Sequence, residues 1–214
     1  AGKTDGWHDA AFFNMCRPLE LVFSNGKDCG VQVGVKSGEI SDLDTFEKFY
    51  DAYKAQMNYM IEMMVNADNA IDYAHGERCP LPFQSSMVED CIGRGKSMQE
   101  GGAIYNFTGP QGFGIANTAD ALTALKTLVY DEKKYTLEEF ADALRNNYGE
   151  PFGELQAEQL TTQVAKALAE QGKEINEKTI AEIYGKIKEN ATSPEKKAFY
   201  DRLRSDIEEL PKIG

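Results

Sequence analysis

Apolar positions along this chain of 214 residues recur mostly at helical spacing. The longest stripe is Phe46, Phe49, Tyr53, Met57, Met60, Met64 and Ala67. Its i, i+3, i+4 pattern predicts one long helix, capped by Ser41 or Asp42 and running to about His75-Gly76. Its methionines read as core filling by an adaptable side chain. An earlier stripe, Ala11, Met15, Leu19 and Val22, predicts a helix within WHDAAFFNMCRPLELVF, residues 7–23. Pro18 would kink that helix or mark a junction between two shorter ones, and Ser24-Asn25-Gly26 would end it. Residues 27–40 set Val31, Val33 and Val35 in alternation among glycines, a loop or short hairpin-like excursion. Beyond the long helix, Pro80 and Pro82 predict an extended segment. Residues 85–95 read as a short helix with a serine cap and a glycine stop.

The pattern changes at SMQEGGAIYNFTGPQGFGIANTADAL, residues 97–122. A short run, Ala103–Phe107, reads as a strand between two glycine loops, Gly101-Gly102 and Gly109–Gly114, and a helix begins at Asn117 or Thr118. Ala121, Leu122, Leu125, Leu128 and Val129 are its apolar positions. Glycines at both ends bring backbone close to a neighbour that a side chain would block. Thr136 and Glu139 make a capping box for the next helix. After Gly149-Glu150-Pro151 the chain turns rich in Ala, Glu, Lys and Gln, with helices predicted at 154–171, 176–189 and 194–209. Asn176 and Ser193 are the caps, Pro194 suits a first turn, and the charges are solvated faces. The pattern is therefore predominantly helical with few strands, divided at about residue 150 into segments 1–150 and 151–214.

Composition narrows the function classes. Hydrophobic residues make up 42% and charged residues 27%, as in an ordinary soluble globular protein. A net charge of −12, with lysines interleaved among acids as in DEKK at 131–134, argues against nucleic-acid partners. No run approaches the roughly 18 apolar residues of a membrane helix, and no secretory signal is visible. Cys16, Cys29, Cys79 and Cys91 match no zinc or redox spacing, so they read as free thiols in a reducing cytoplasm and as small buried hydrophobes. Gly109–Gly114 is neither a phosphate loop nor a dinucleotide fingerprint. The chain opens at Ala1-Gly2-Lys3-Thr4 without an initiator methionine, as a processed, trimmed or excised polypeptide would.

Candidate chemistry is sparse. His8 and Asp9 precede an apolar run; on a helix they would point about 100° apart. They could line a pocket mouth, or Asp9 could serve as a helix N-terminal acid beside a satisfied His8. His75 stands near Asp72 and Glu77 in DYAHGER, but with only two histidines in the chain the spacing matches no ligand motif, and no metal is assigned. No nucleophile elbow accompanies either histidine.

Two segments carry a family resemblance. GKTDGWHDAAFFN, residues 2–14, leads into LELVFSNG, and EGGAIYNFTGPQGFGIAN, residues 100–117, is followed by LVYDEKK. Between them RCPLPFQSSMVEDCI fits a Pro-rich strand leading into a helix. Together they span residues 2 to about 148 and resemble the glycyl radical enzymes, relatives of pyruvate formate-lyase. WHDAAFFN and YNFTGPQG are most similar to the eliminase and decarboxylase branch.

The resemblance implies a ten-stranded α/β barrel surrounded by helices, with residues 151–214 as a variable helical region. It implies a glycyl radical on one loop and a catalytic cysteine on another, whose thiyl radical takes hydrogen from the substrate. In the eliminating branch a glutamate two residues after that cysteine acts as base. The Gly-Cys-x-Glu loop is expected just upstream of Gly2 and the Arg-x-x-Gly-Tyr loop far downstream. Neither occurs in this sequence. The chain thus reads as an internal segment of a longer enzyme, with no catalytic residue of its own and inactive alone. Asp9 matches an aspartate that contacts the substrate hydroxyl in the diol-dehydratase branch. His8 and Phe12 flank it, and His8 departs from the hydroxyl residue expected in the choline-cleaving branch. Gly101, Gly102, Gly109 and Gly112 would shape the strand and loop near the active site.

The implied activity is a radical lyase, by dehydration or C–X cleavage of a small polar substrate, as in diol dehydratases or choline trimethylamine-lyase. Arylacetate decarboxylase and formate acetyltransferase types are alternatives, as is a non-catalytic split subunit or helical interaction chain. No cofactor is bound in this reading. An S-adenosylmethionine/iron–sulfur activating enzyme installs the radical, and the other partners are a small-molecule substrate and a second copy in a homodimer, with no nucleic acid and no membrane. The setting implied is the cytoplasm of an anaerobic bacterium, with a microcompartment open.

Overall fold

Residues Thr4–Asn14 form a strand, β1, where the apolar stripe predicted a helix. The stripe spans two elements. Trp7, Phe12 and Phe13 favour a pleated backbone, and helix α1 begins only at Cys16, running to Phe23 with Pro18, Leu19, Leu21 and Val22 buried. Pro18 makes no kink, because it stands in the first turn, where backbone N–H groups have no helical partner to lose. As expected, α1 gives way to left-handed backbone at Asn25 (φ 50°) and Gly26 (φ 75°). The computed structural model describes residues 2–28, 30–170, 172, 175–189 and 192–212, and the backbone alone at 4–9, 154, 155 and 167. Cys29 lies outside the described residues.

A small hairpin follows, β2 (Lys27–Asp28) antiparallel to β3 (Val31–Gln32). The long helix α2 covers Phe46–Arg78. Ser41 and Asp42 fall in a preceding 3-10 turn, and the first turn of α2 is instead served by Thr45, whose Oγ1 accepts the Lys48 N–H at 3.3 Å. Phe49, Ala52, Tyr53 and Gln56 are buried, but Met57, Met60 and Met64 are only half-buried. Farther along, Ile61, Met63, Val65 and Ile71 are exposed. A helix apolar on several faces belongs to the interior of a larger protein.

Helix α3 (Pro82–Ser85) and helix α4 (Cys91–Arg94) replace the single short helix expected over 85–95, and α4 stops at Gly95 in left-handed backbone. Strand β4 spans Tyr105–Phe113, longer than expected, so Gly109 and Gly112 lie inside a strand, while Gly114 just past its end takes left-handed backbone (φ 73°). Helix α5 (Ile115–Leu125) follows and continues as a π-helical turn, Lys126–Asp131, that buries Leu128 and Val129. Helix α6 (Leu137–Arg145) opens with the predicted capping box. Helices α7 (Glu154–Glu170), α8 (Glu177–Glu189) and α9 (Pro194–Glu209) match their expected spans closely. Asn176 Oδ1 accepts from Thr179 N–H at 3.0 Å, and Ser193 Oγ from Lys196 N–H at 3.3 Å, as read from the caps. Among the described residues no helix is long and apolar enough to cross a membrane.

The chain divides into two compact units. One comprises Ala1–Gly26, Gly34–Gly38 and Phe49–Thr118, and holds β1, β4, α1 and most of α2. Within it, the fully buried Gln56 donates to Val35 O (2.7 Å) and Ser37 Oγ (2.9 Å) and accepts from Val35 N–H (3.1 Å). That clamp pins residues 34–38 to α2. The other unit comprises Lys27–Val33, Glu39–Lys48 and Ala119–Gly214. Its core includes Leu125, Phe140, Ala157, Tyr200 and Leu203.

Asp142 gathers the polar contacts between α6 and α9. Tyr200 OH donates to its Oδ2 at 2.7 Å, Lys196 Nζ at 3.1 Å, and Asn146 Nδ2 reaches Oδ1 at 3.0 Å. The Tyr200 hydrogen bond, with help from Lys196, holds the Asp142 carboxyl below the ordinary range. Lys134 and then Tyr135 do the same for Asp206 on α9. A lowered folded-state pKa adds stability that is present above the unfolded value and lost as pH falls through the folded one. Docking of α9 is therefore expected to weaken below about pH 4. Tyr200→Phe should remove the larger part of the Asp142 share of that pH dependence, leave the Asp206 share in place, and cost about 1 kcal/mol at neutral pH. Hydrogen exchange of α9 amides across pH 3–7 checks this; equal protection at both ends would show that the network contributes nothing.

Candidate functional site

All three sequence-predicted site residues lie on β1, which runs parallel to β4. The pairing is regular from Thr4↔Tyr105 to His8↔Gly109 and resumes from Phe12↔Gln111 to Asn14↔Phe113. Between these stretches Asp9, Ala10 and Ala11 stand against Pro110 alone. Proline has no N–H to give the ladder, so pairing must break there. The surplus residues of β1 bulge, a device that re-aims side chains beside active sites. Asp9 falls inside the irregular stretch, His8 at its near edge and Phe12 at its far edge. Their strand placement removes the reading of Asp9 as a helix N-terminal acid. The His8 and Asp9 side chains lie outside what the structure describes. Phe12 is 62% exposed and packs on Phe113 with ring centroids 5.1 Å apart.

A cleft of about 290 Å³ opens beside the N-terminal half of β4. Asp72 and His75 of α2 line it, with Gln99, Asn106, Phe107 and Thr108. Thr108 Oγ1 donates to Asp72 Oδ2 at 2.6 Å, and Asn106 Nδ2 donates to Ala103 O at 2.8 Å. Glu77 instead accepts from Tyr73 OH at 2.7 Å. Asp72 and Glu77 thus serve different partners, and the described residues hold no group of three or more metal-ligating side chains. Sequence reasoning saw Asp72 only as a neighbour of His75 and did not single out Thr108. A threonine inside a strand carries no local sign of its partner 36 positions away.

The cysteines take separate places. Cys91 is buried, as expected of a small hydrophobe. Cys16 is half-buried, with Sγ 3.4 Å from Thr118 Oγ1. Cys79 is exposed, against expectation, because it follows the end of α2.

The β1–β4 pair presents Phe12, Tyr105, Phe107 and Phe113 as exposed rings. Parallel strands are normally buried on both faces within a larger sheet. A parallel pair bearing exposed rings has the character of a piece of such a sheet.

Comparison with known proteins agrees. A family model described as pyruvate formate lyase-like matches residues 1–214. The (2S)-3-sulfopropanediol dehydratase of Klebsiella oxytoca is 39% identical over 150 residues, covering 69% of this chain and 18% of that protein. A solved structure described as concerning 1,2-propanediol dehydration in Roseburia inulinivorans superposes with a TM-score of 0.92 at 52% identity, over 100% of this chain and 25% of that one. The glycerol-bound form of the B12-independent glycerol dehydratase from Clostridium butyricum gives 0.66 at 54% identity, over 68% of this chain and 18% of its own. The chain thus spans 18% to 25% of these relatives' length. The chain is part of the barrel fold these enzymes share, and it belongs to the pyruvate formate-lyase-like family of glycyl radical enzymes.

Proposed function

We propose that this chain is an internal segment of a glycyl radical lyase that dehydrates a small vicinal diol to an aldehyde and water. The observation that carries the reading is the 52% identity, at a TM-score of 0.92 over the whole chain, to a structure described for propanediol dehydration. The similarity to a glycerol dehydratase supports the same substrate class. Asp9 accepts a hydrogen bond from a substrate hydroxyl, and His8 and Phe12 flank the reacting carbon. The bulge opposite Pro110 supports these roles, since it frees Asp9 from regular strand pairing. The radical-bearing glycine and the cysteine come from the rest of the protein, and an S-adenosylmethionine-dependent activating enzyme installs the radical. Residues 1–150 contribute to the barrel and residues 151–214 form a variable helical region of the same domain. The full-length protein works as a homodimer in the cytoplasm.

The test is to activate the full-length protein without oxygen and offer it 1,2-propanediol, glycerol and 3-sulfopropanediol separately. Aldehyde formation from a diol, with an organic radical signal, is the expected result. A radical signal with no turnover of any diol would overturn the diol assignment.

A further inference from the structure

We infer that Asp72 is a positioning residue for the substrate-contacting stretch of β1, acting through Thr108. The inference rests on the diol-dehydratase reading for its activity arm only.

Thr108 of β4 reaches across to α2, where its Oγ1 donates to Asp72 Oδ2 at 2.6 Å. Within the sheet the same residue pairs with Trp7, and the next pair is His8↔Gly109. Neighbouring pairs lie about 3.3 Å apart along a strand. The anchor therefore sits one step from His8 and two from Asp9. Beyond it come Gly109, Pro110 and Gly112, residues that weaken a strand. The ladder is already broken at Pro110. Met15 N–H bonds Phe113 O at 2.9 Å at the far end. The irregular segment bearing Asp9 is thus suspended between a fixed point at Thr108 and another at Phe113.

Asp72 is suited to hold the near point. It stands on a helix of 33 residues whose earlier part is clamped by the buried Gln56. The contact at 2.6 Å needs only an accepting oxygen at position 72. Release at Thr108 lets the Trp7–His8 stretch shift relative to α2. A displacement of about 1 Å in a substrate-orienting group can cost on the order of a hundredfold in rate.

The experiment uses the full-length protein with Thr108→Val, Thr108→Ser, Asp72→Leu and Asp72→Asn. Valine matches threonine in shape but cannot donate; serine restores the donor. Asparagine keeps an accepting oxygen where leucine has none. Hydrogen exchange of the amides over residues 5–14 gives a readout that needs no activity. It is expected to rise at least tenfold in Thr108→Val and Asp72→Leu, and to return to the parent level in Thr108→Ser and Asp72→Asn. Turnover per radical-bearing site should fall about tenfold to a hundredfold in the first two variants, with the melting temperature little changed. A purely structural role would lower the melting temperature while leaving kcat per active site intact, and that result overturns the inference. So does parent-like exchange in Thr108→Val. If no diol is turned over by the parent protein, the functional reading fails, while the exchange pattern still decides the role of Asp72.

Discussion

Asp9→Asn in the full-length enzyme is expected to lower kcat/KM for a diol by about tenfold to a hundredfold, with the fold unchanged. A carboxylate that accepts a hydrogen bond from a substrate hydroxyl contributes about 1.5–3 kcal/mol more than an unpaired site would. Asparagine keeps the volume and one accepting oxygen but loses the charge, and it can present an N–H to the hydroxyl instead. The position makes the loss selective for function. Asp9 lies in the stretch of β1 opposite Pro110 where strand pairing lapses, and the flanking ladder is made by backbone groups that the substitution leaves in place. Steady-state kinetics beside hydrogen exchange over β1 separates the two. Unchanged kinetics would remove Asp9 from the substrate site; lost exchange protection would make it a structural residue.

The largest effect on stability is expected at Gly102, which is buried and donates its N–H to Ser97 O at 2.9 Å. A Cβ there would lie 2.3 Å from Lys96 O, 2.8 Å from Ser97 O and 2.9 Å from Lys96 C. All three are backbone atoms, so no rotamer change relieves the clash. Ser97 is also tied to Glu100, whose Oε2 accepts the Ser97 N–H at 2.9 Å, and this turn precedes β4. Gly102→Ala is expected to cost roughly 3 kcal/mol, the upper end for overpacking. Gly185, inside α8, has nothing within 4 Å of an added Cβ. Gly185→Ala should therefore stabilise α8 by about 0.5–1 kcal/mol. Unfolding of a long enzyme is not two-state, so local hydrogen exchange at residues 96–104 and 177–189 is the proper measure. Undiminished protection near Gly102 would show that the turn absorbs the extra carbon.

Much of this architecture was legible in the residues. The helices after residue 150, with Asn176, Ser193 and Pro194 at their starts, depend on capping and periodicity, which act within a few positions. So do the Thr136–Glu139 box and the stop at Asn25-Gly26. The segments GWHDAAFFN and YNFTGPQGFG were enough to indicate the family. Three readings missed for one reason. The Ala11–Val22 stripe was split by a strand, Gly109–Gly112 proved to be strand rather than loop, and the methionines of α2 stayed half-exposed. Each depends on a partner distant in sequence. β1 is a strand because β4 lies beside it, and the glycines of β4 are extended because β1 holds them there.

The helices after residue 150 with their caps, the family and the residues that carry its signature were readable in the order of residues, because they follow from local propensity and from residue identity. The parallel pairing of β1 with β4, its interruption by Pro110 opposite Asp9 and the fastening of Thr108 to Asp72 emerged only from the folded chain. Those contacts join positions 36 to about 100 residues apart. No periodicity in the chain encodes such a meeting. It forms when burying apolar surface and satisfying backbone hydrogen bonds outweigh the entropy of closing the loops between the partners.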